Sequence, residues 1–297
     1  MPSGCEKVSM SDILTYEEIE RICKAAADLG IRKIKITGGE PFVRLGCTDL
    51  MRQIKAIGGI DEVTVTTNGQ SLSKYIDELK DIGIDGINIS LDTVDPDKYS
   101  KITGGGCLGN VHDSIDAAIA SGIKTKVNCV LQHGYDEDEI LAIANVAFDK
   151  GIDVRFIELM PIGAAASIEG VSNDVVLQLL KSRWPELVKD EGIHGNGPAV
   201  YYKRPGRKGG IGLISPMHGK FCDSCNRVRL TSQGQLKPCL CYEEGTDLKP
   251  HLAGSDEELK AALEEAILNK PKAHCFTDDE DAQGLNMESR LMSQIGG

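Results

Sequence analysis

The first 160 residues alternate between short strand patterns and amphipathic helix patterns. A capping box at 15–18 opens a helix that ends at Gly30, and a β-branched strand over 31–37 follows it. Further strands are predicted at 62–67, 86–92, 123–131 and 153–160, with helices at 73–81, 107–121 and 136–150. This alternation predicts a parallel sheet with right-handed crossovers, either an open doubly wound sheet or a barrel.

Four of these strands carry polar side chains on alternate positions. Buried parallel strands normally read as near-continuous apolar runs. The polar sets here are Lys33, Lys35 and Thr37; Thr64, Thr66 and Asn68; Asn88, Ser90 and Asp92; and Lys124, Lys126 and Asn128. Four successive polar faces predict a hydrated interior or a shared cleft at the carboxyl ends of the strands. In the fifth strand Arg155 alternates away from Glu158 and Met160, so a bulge is needed if all three face a ligand.

The alternation stops after residue 160. A helix is predicted at 173–182, a hairpin from strands at 199–203 and 210–215, and a helix at 257–268. We therefore divide the chain into a barrel region, 1–160, and a C-terminal region, 161–297.

The composition limits the partners. A net charge of −12 argues against nucleic-acid binding, which needs a basic surface, so any anionic ligand must meet a local cluster of cations. The sequence has no long apolar run that predicts a membrane span. Ten cysteines without a signal peptide predict a reducing, cytoplasmic setting.

A cysteine stretch in the C-terminal region has the spacing of metal ligands. Cys222 and Cys225 form a Cys-x2-Cys pair, and Cys239 follows after thirteen residues. Cys241 would complete a four-cysteine zinc site, and spacing alone slightly favours zinc. Arg227 and Arg229 favour the other reading, because a structural zinc site has no use for two guanidinium groups suited to phosphate. Three thiolates beside anion-binding arginines indicate an iron–sulfur cluster facing a phosphorylated substrate.

Several blocks together resemble the GTP 3′,8-cyclase family of radical S-adenosylmethionine (SAM) enzymes, from molybdenum cofactor biosynthesis. They are 37–41 (TGGEP), 66–69 (TTNG), 88–92 (NISLD), 126–128 (KVN), 155–158 (RFIE), Met160, the cysteine stretch and the terminal Gly296 and Gly297. The resemblance implies a partial (β/α)6-type barrel lacking its first strand, with the cluster region covering its mouth. It also implies conversion of GTP to (8S)-3′,8-cyclo-7,8-dihydroguanosine 5′-triphosphate.

The same resemblance implies roles for individual residues. One [4Fe-4S] cluster would sit on Cys222, Cys225 and Cys239, with an open iron position for the guanine. Arg155 is a weaker addition to the GTP site. The SAM contacts would be Gly39, Glu40, Ser90 and Met160, and the GTP contacts Lys35, Thr66, Lys126, Arg227 and Arg229.

One family motif is not found in the sequence. The family binds its SAM cluster with Cys-x3-Cys-x2-Cys followed by Met-Pro, whereas this sequence begins at Met1-Pro2, and Cys5 and Cys23 do not reproduce the spacing. We therefore expect an N-terminally truncated, inactive chain whose catalytic residues are unknown. The alternative is a non-catalytic zinc- or cluster-binding scaffold. The expected partners are GTP, a second copy in a homodimer and a downstream cyclic pyranopterin monophosphate synthase.

Overall fold

A computed structural model describes residues 8–132, 134–274, 276 and 286–295, so Cys5, Gly296 and Gly297 lie outside the described residues. The strands are β1 (Lys33–Ile36), β2 (Glu62–Thr67), β3 (Gly86–Ser90), β4 (Thr125–Leu131), β5 (Asp153–Glu158), β6 (Val188–Asp190), β7 (Val200–Lys203), β8 (Ile211–Ile214), β9 (Arg229–Leu230), β10 (Gln235–Lys237) and β11 (Thr246–Asp247). The α-helices are α1 (Tyr16–Asp28), α2 (Cys47–Lys55), α3 (Ile76–Ile82), α4 (Pro96–Thr103), α5 (Leu108–Ser121), α6 (Glu137–Lys150), α7 (Asn173–Arg183), α8 (Lys249–Leu252), α9 (Asp256–Leu268) and α10 (Met292–Ile295). Short 3-10 helices cover Met10–Asp12, Pro41–Val43, Leu72–Lys74, Gly163–Ser167 and Cys222–Ser224.

The main sheet is mostly parallel, as predicted. Its strand order is β1-β2-β3-β4-β5-β8-β7-β6, and every neighbouring pair from β1 to β8 in that order is parallel. The predicted hairpin is present as the antiparallel pair β7–β8. Because β8 also pairs with β5, strands on both sides of residue 160 share this sheet. The division of the chain at residue 160 remains a prediction.

The strand register sets the predicted polar side chains on one face. Lys35 lies beside Thr64 on β2, while Thr66, Asn88 and Lys126 form a row across the next three strands. Residues paired in a parallel ladder point to the same side of the sheet. The opposite face is apolar, and its buried members include Val65, Ile89, Val127 and Phe156 in the main core.

The register removes the need for a bulge at Arg155. Asn128 lies between Ser90 and Arg155 in the ladder, so Arg155 continues the polar face. Glu158 is three positions further along the same strand and points to the other face. The predicted alternation of Arg155 away from Glu158 is confirmed, and the parity of Arg155 in β5 matches that of Asn128 in β4, which places Arg155 with the polar set without a bulge.

A second, smaller core joins the C-terminal region to the start of the chain. Leu14 and Ile22 pack with Leu236 of β10 and with Leu259 and Leu263 of α9. The three-stranded sheet β11-β10-β9 therefore rests on α1 and α9, and β9 and β10 flank the turn between the cysteine arms. In the part of the chain that the structure describes, no helix is both long enough and apolar enough to cross a membrane.

Candidate functional site

The predicted SAM contacts lie at one edge of the parallel sheet. Ser90 ends β3, Gly39 follows the end of β1 and Met160 follows the end of β5. Because these strands are parallel, their carboxyl ends meet at the same edge. Glu40 is anchored there, with one carboxylate oxygen accepting from Thr67 Oγ1 at 2.8 Å and the other from the Asn68 amide at 2.7 Å. Glu40 thus fixes the loop that carries Gly39 to the end of β2.

A hydrogen-bonded polar row crosses the centre of the same face. Asn88 donates to Thr66 Oγ1 at 3.4 Å and accepts from Arg155, whose side chain is almost fully buried. Two buried atoms next to this row, Arg155 Nε and Asn128 Oδ1, have no hydrogen-bond partner among the described residues. Buried polar atoms are nearly always satisfied in a working protein. The two atoms therefore mark a place where a bound molecule or solvent completes the row.

Cations from distant parts of the chain converge on this face. Desolvation by surrounding protein atoms, together with the charges of Arg155, Arg227 and Lys126, lowers the pKa of Lys35 to about 8. Lys35 is still open to solvent, so the desolvation comes from atoms around its ammonium group rather than from full enclosure. Burial, followed by the charge of Arg227, lowers the pKa of Arg229 to about 10.

The predicted phosphate-binding residues Lys35, Arg227 and Arg229 are therefore close together although β1 and β9 are almost two hundred residues apart. Within the described residues, neither Lys35 nor Arg229 has a carboxylate within ion-pair distance. Cations that repel one another and are not held in ion pairs form a favourable site for a polyanion.

Lys126 lies in the same row but is already engaged. Its ammonium group pairs with Asp153 at 2.9 Å, donates to Tyr201 Oη at 2.8 Å and donates to the carbonyl oxygen of His194. The His194 ring stacks on Tyr201 with 3.8 Å between ring centroids. Sequence reasoning missed these partners. Only Asp153 carried a signal, as it lies two positions before Arg155 on the same face of β5.

The three predicted cluster ligands are also brought together. Cys222 and Cys225 flank a single 3-10 turn, closed by the Cys225 amide donating to the Cys222 carbonyl at 2.9 Å. Arg227 donates to Cys225 Sγ at 3.6 Å; burial alone would raise the pKa of Cys225, but the hydrogen bonds and charge of Arg227 lower it. Burial raises the pKa of Cys239, and the neighbouring Cys222 and Cys225 raise it further.

The zinc and cluster readings of these thiols differ in whether Cys241 is a ligand. Tetrahedral zinc with Zn–S bonds near 2.3 Å holds its sulfurs about 3.8 Å apart. Across the described ranges, no three His, Cys, Asp or Glu side chains converge closely enough to hold one metal ion. Cys241, the fourth ligand in the zinc reading, is 1% exposed and packs with Tyr242. The cluster reading needs only Cys222, Cys225 and Cys239, and it stays a prediction.

Two buried carboxylates, neither of them among the predicted site residues, support the cysteine arms. Glu158 accepts from the amides of Asn173 and Met217, both at 3.0 Å, and from that of His218 at 3.2 Å. It therefore ties the end of β5 to the segment that leads to Cys222. Glu288 pairs with the fully buried Lys237 of β10, two residues before Cys239.

Comparison with known proteins places this fold in a class. Residues 6–147 match the profile of the Radical SAM superfamily, and residues 152–276 match Molybdenum Cofactor Synthesis C. The crystal structure of Streptococcus suis SuiB aligns with a TM-score of 0.56 at 16% identity, over 76% of this chain and 54% of that chain. SuiB bound to S-adenosylmethionine aligns with a TM-score of 0.57 at 16% identity, over 79% and 54%. The chain covers about half the length of SuiB, and the likeness shows that the two share an α/β fold.

Sequence relatives identify the family. The GTP 3′,8-cyclase of Alkaliphilus metalliredigens is 43% identical over 99% of this chain and 90% of the relative. Those of Clostridium perfringens and Paracoccus denitrificans are each 40% identical over 96% of this chain, covering 88% and 85% of the relatives. The chain belongs to the GTP 3′,8-cyclase family.

Proposed function

We propose that this chain binds GTP on the polar face of its sheet as the substrate site of a GTP 3′,8-cyclase, the enzyme that converts GTP to (8S)-3′,8-cyclo-7,8-dihydroguanosine 5′-triphosphate in the first step of molybdenum cofactor biosynthesis. One observation carries the proposal: Arg227 donates to Cys225 Sγ and its charge also acts on Lys35 and Arg229, so that the cations of the polar face adjoin the cysteine stretch. A nucleoside triphosphate needs concentrated cationic donors, and this chain of net charge −12 gathers them here.

Two cofactors belong to this proposal. A single [4Fe-4S] cluster on Cys222, Cys225 and Cys239 would supply a Lewis-acidic iron with an open position for the guanine. SAM, held by Gly39, Glu40, Ser90 and Met160 at the strand ends, would supply the radical that removes a hydrogen atom from the ribose once a second cluster donates one electron to it, and the Cys-x3-Cys-x2-Cys motif that holds that cluster in the family is not found in this sequence.

The chain's own residues bind and orient the substrate. Arg227, Arg229 and Lys35 neutralise the triphosphate, and the planar guanidinium groups hold it in a fixed orientation. Thr66 and Lys126 belong to the polar row that crosses β2, β3 and β4, and Arg155 Nε offers a hydrogen-bond donor next to that row. A second copy of the chain, the downstream synthase and the cytoplasmic location stay predictions from resemblance and composition.

The cluster is tested by metal analysis after anaerobic reconstitution with iron and sulfide. We expect about four irons on the Cys222, Cys225 and Cys239 site, as one [4Fe-4S] cluster requires. Cys239→Ser should lose this iron, whereas Cys107→Ser should keep it because Cys107 is an exposed thiol on another part of the chain. Binding of one zinc and no iron would contradict the proposal and support the scaffold alternative.

A further inference from the structure

Lys270 joins the two chain segments that carry the cysteines. Its ammonium group donates to the carbonyl oxygen of Arg227 at 2.8 Å and to that of Pro238 at 2.6 Å. Arg227 lies two residues after Cys225, and Pro238 directly precedes Cys239. One side chain therefore joins two arms that the short hairpin β9–β10 also connects.

Lys270 is attached to a packed helix. It lies two residues after the end of α9, its amide donates to the Ile267 carbonyl, and Leu259, Leu263 and Ala266 of that helix are buried in the smaller core against α1 and β10. A positioning group on a packed element holds its partners more tightly than one on a loop.

The charge of Lys270 has no carboxylate within ion-pair distance in the portion of the chain that is described. Its charge instead favours the thiolate forms, because Lys270 helps to lower the pKa of Cys225 and opposes the rise that burial gives to the pKa of Cys239. Its ammonium group thus lies near the sulfur atoms of both arms.

We infer that Lys270 is a positioning residue for the cluster, which clamps the two cysteine arms at their cluster-binding separation and supplies positive charge to balance their thiolates. This inference rests on the proposed cluster at Cys222, Cys225 and Cys239. Groups of this kind, which hold ligands without binding the metal, influence both the affinity of a site and its reduction potential.

Three variants of the reconstituted protein test the role. Lys270→Met removes the charge and the donors, Lys270→Arg keeps both, and Lys272→Met removes an exposed charge two residues away. Iron should leave Lys270→Met at least about tenfold faster than Lys272→Met, the range expected for a residue that supports metal ligands. The Lys270→Arg protein should stay close to the wild type in this measurement.

The reduction potential separates a charge effect from general loosening. The reduced cluster carries more negative charge, so loss of a nearby cation should make the potential of Lys270→Met more negative than that of Lys272→Met. Equal iron loss and equal potentials in these two variants would overturn the inference.

Hydrogen exchange on the metal-free protein keeps the test independent of the cluster. Peptides covering 222–230 and 235–241 should exchange faster in Lys270→Met than in Lys272→Met, while peptides from β2 to β4 should not differ. If the wild type takes up no iron but this difference is found, the proposed cluster fails and the clamp stands. If the wild type takes up iron and no difference is found, the clamp fails.

Discussion

Single charges decide what the polar face can bind. Lys35 meets Arg155, Arg227 and Lys126 on this face, and Glu62 is the one nearby group found to favour its charged form. The arginines at the cysteine stretch were chosen from their spacing, and the lysine from strand parity. Asp153 and Lys270 could not be chosen in this way, because each acts through a partner that only the folded chain brings near.

The lowered pKa of Lys35 predicts a pH dependence of GTP binding. A lysine with a folded-state pKa of about 8 is mostly protonated at pH 7 and loses its charge as the pH rises through 8. GTP affinity should therefore fall above about pH 8, and Lys35→Met should bind more weakly at pH 7 with a flatter profile. Calorimetric titrations at pH 7, 8 and 9 measure both; identical profiles for the two proteins would refute the role of Lys35.

Arg229 offers a second test at the same scale. Arg229→Ala should weaken GTP binding by about 1.5–3 kcal/mol, the usual loss when a charged donor to a phosphate is removed. Arg52→Ala is the matched control, because Arg52 is an exposed helix residue with only a 3.9 Å pair to Glu78. Equal affinities of the two variants would remove Arg229 from the site.

The helices and strands whose sequences show a clear hydrophobic periodicity were predicted well. The strand predicted at 62–67 has those bounds in β2, and the helix predicted at 107–121 is α5 with Cys107 as its N-cap residue. The strands β9, β10 and β11 were missed, because two or three residues are too short for a periodic pattern. The C-terminal segment at 286–290 was missed as well, since it pairs with the loop after Cys239 by an isolated bridge, Tyr242 to Met287.

The buried ion pair between Lys237 of β10 and Glu288 of that segment leads to a prediction about stability. Lys237 is 0% exposed and Glu288 is 2% exposed, and Lys237 also donates to the carbonyl oxygen of Tyr242, which closes the loop around Cys239. Glu288→Leu should lower the free energy of unfolding by about 3–5 kcal/mol, because it leaves Lys237 buried without its partner.

The double variant Lys237→Met with Glu288→Leu should recover much of that loss, since paired apolar residues replace a buried ion pair at little cost. Urea unfolding of the metal-free proteins measures both changes. A double variant as unstable as the single one would show that the pair contributes through something other than its buried charges.

At the scale of the whole molecule, one sheet unites the two regions predicted from the sequence. Its apolar face holds the helices, and its polar face and carboxyl edge hold the candidate site. The parallel class and the polar face were predictable, because both follow from local periodicity. The place of β8 beside β5 was not, because α7 and two antiparallel strands intervene along the chain.

Iron dependence of GTP binding tests most directly whether the cysteine arms and the cations form one site. GTP is titrated by calorimetry into the reconstituted protein and into the same preparation after chelation of its iron. We predict one GTP per iron-loaded chain and a clearly weaker affinity without iron, because the guanine loses its metal contact while the triphosphate keeps Lys35, Arg227 and Arg229. Equal affinity with and without iron, or no GTP binding by a chain that carries about four irons, would contradict the proposed site.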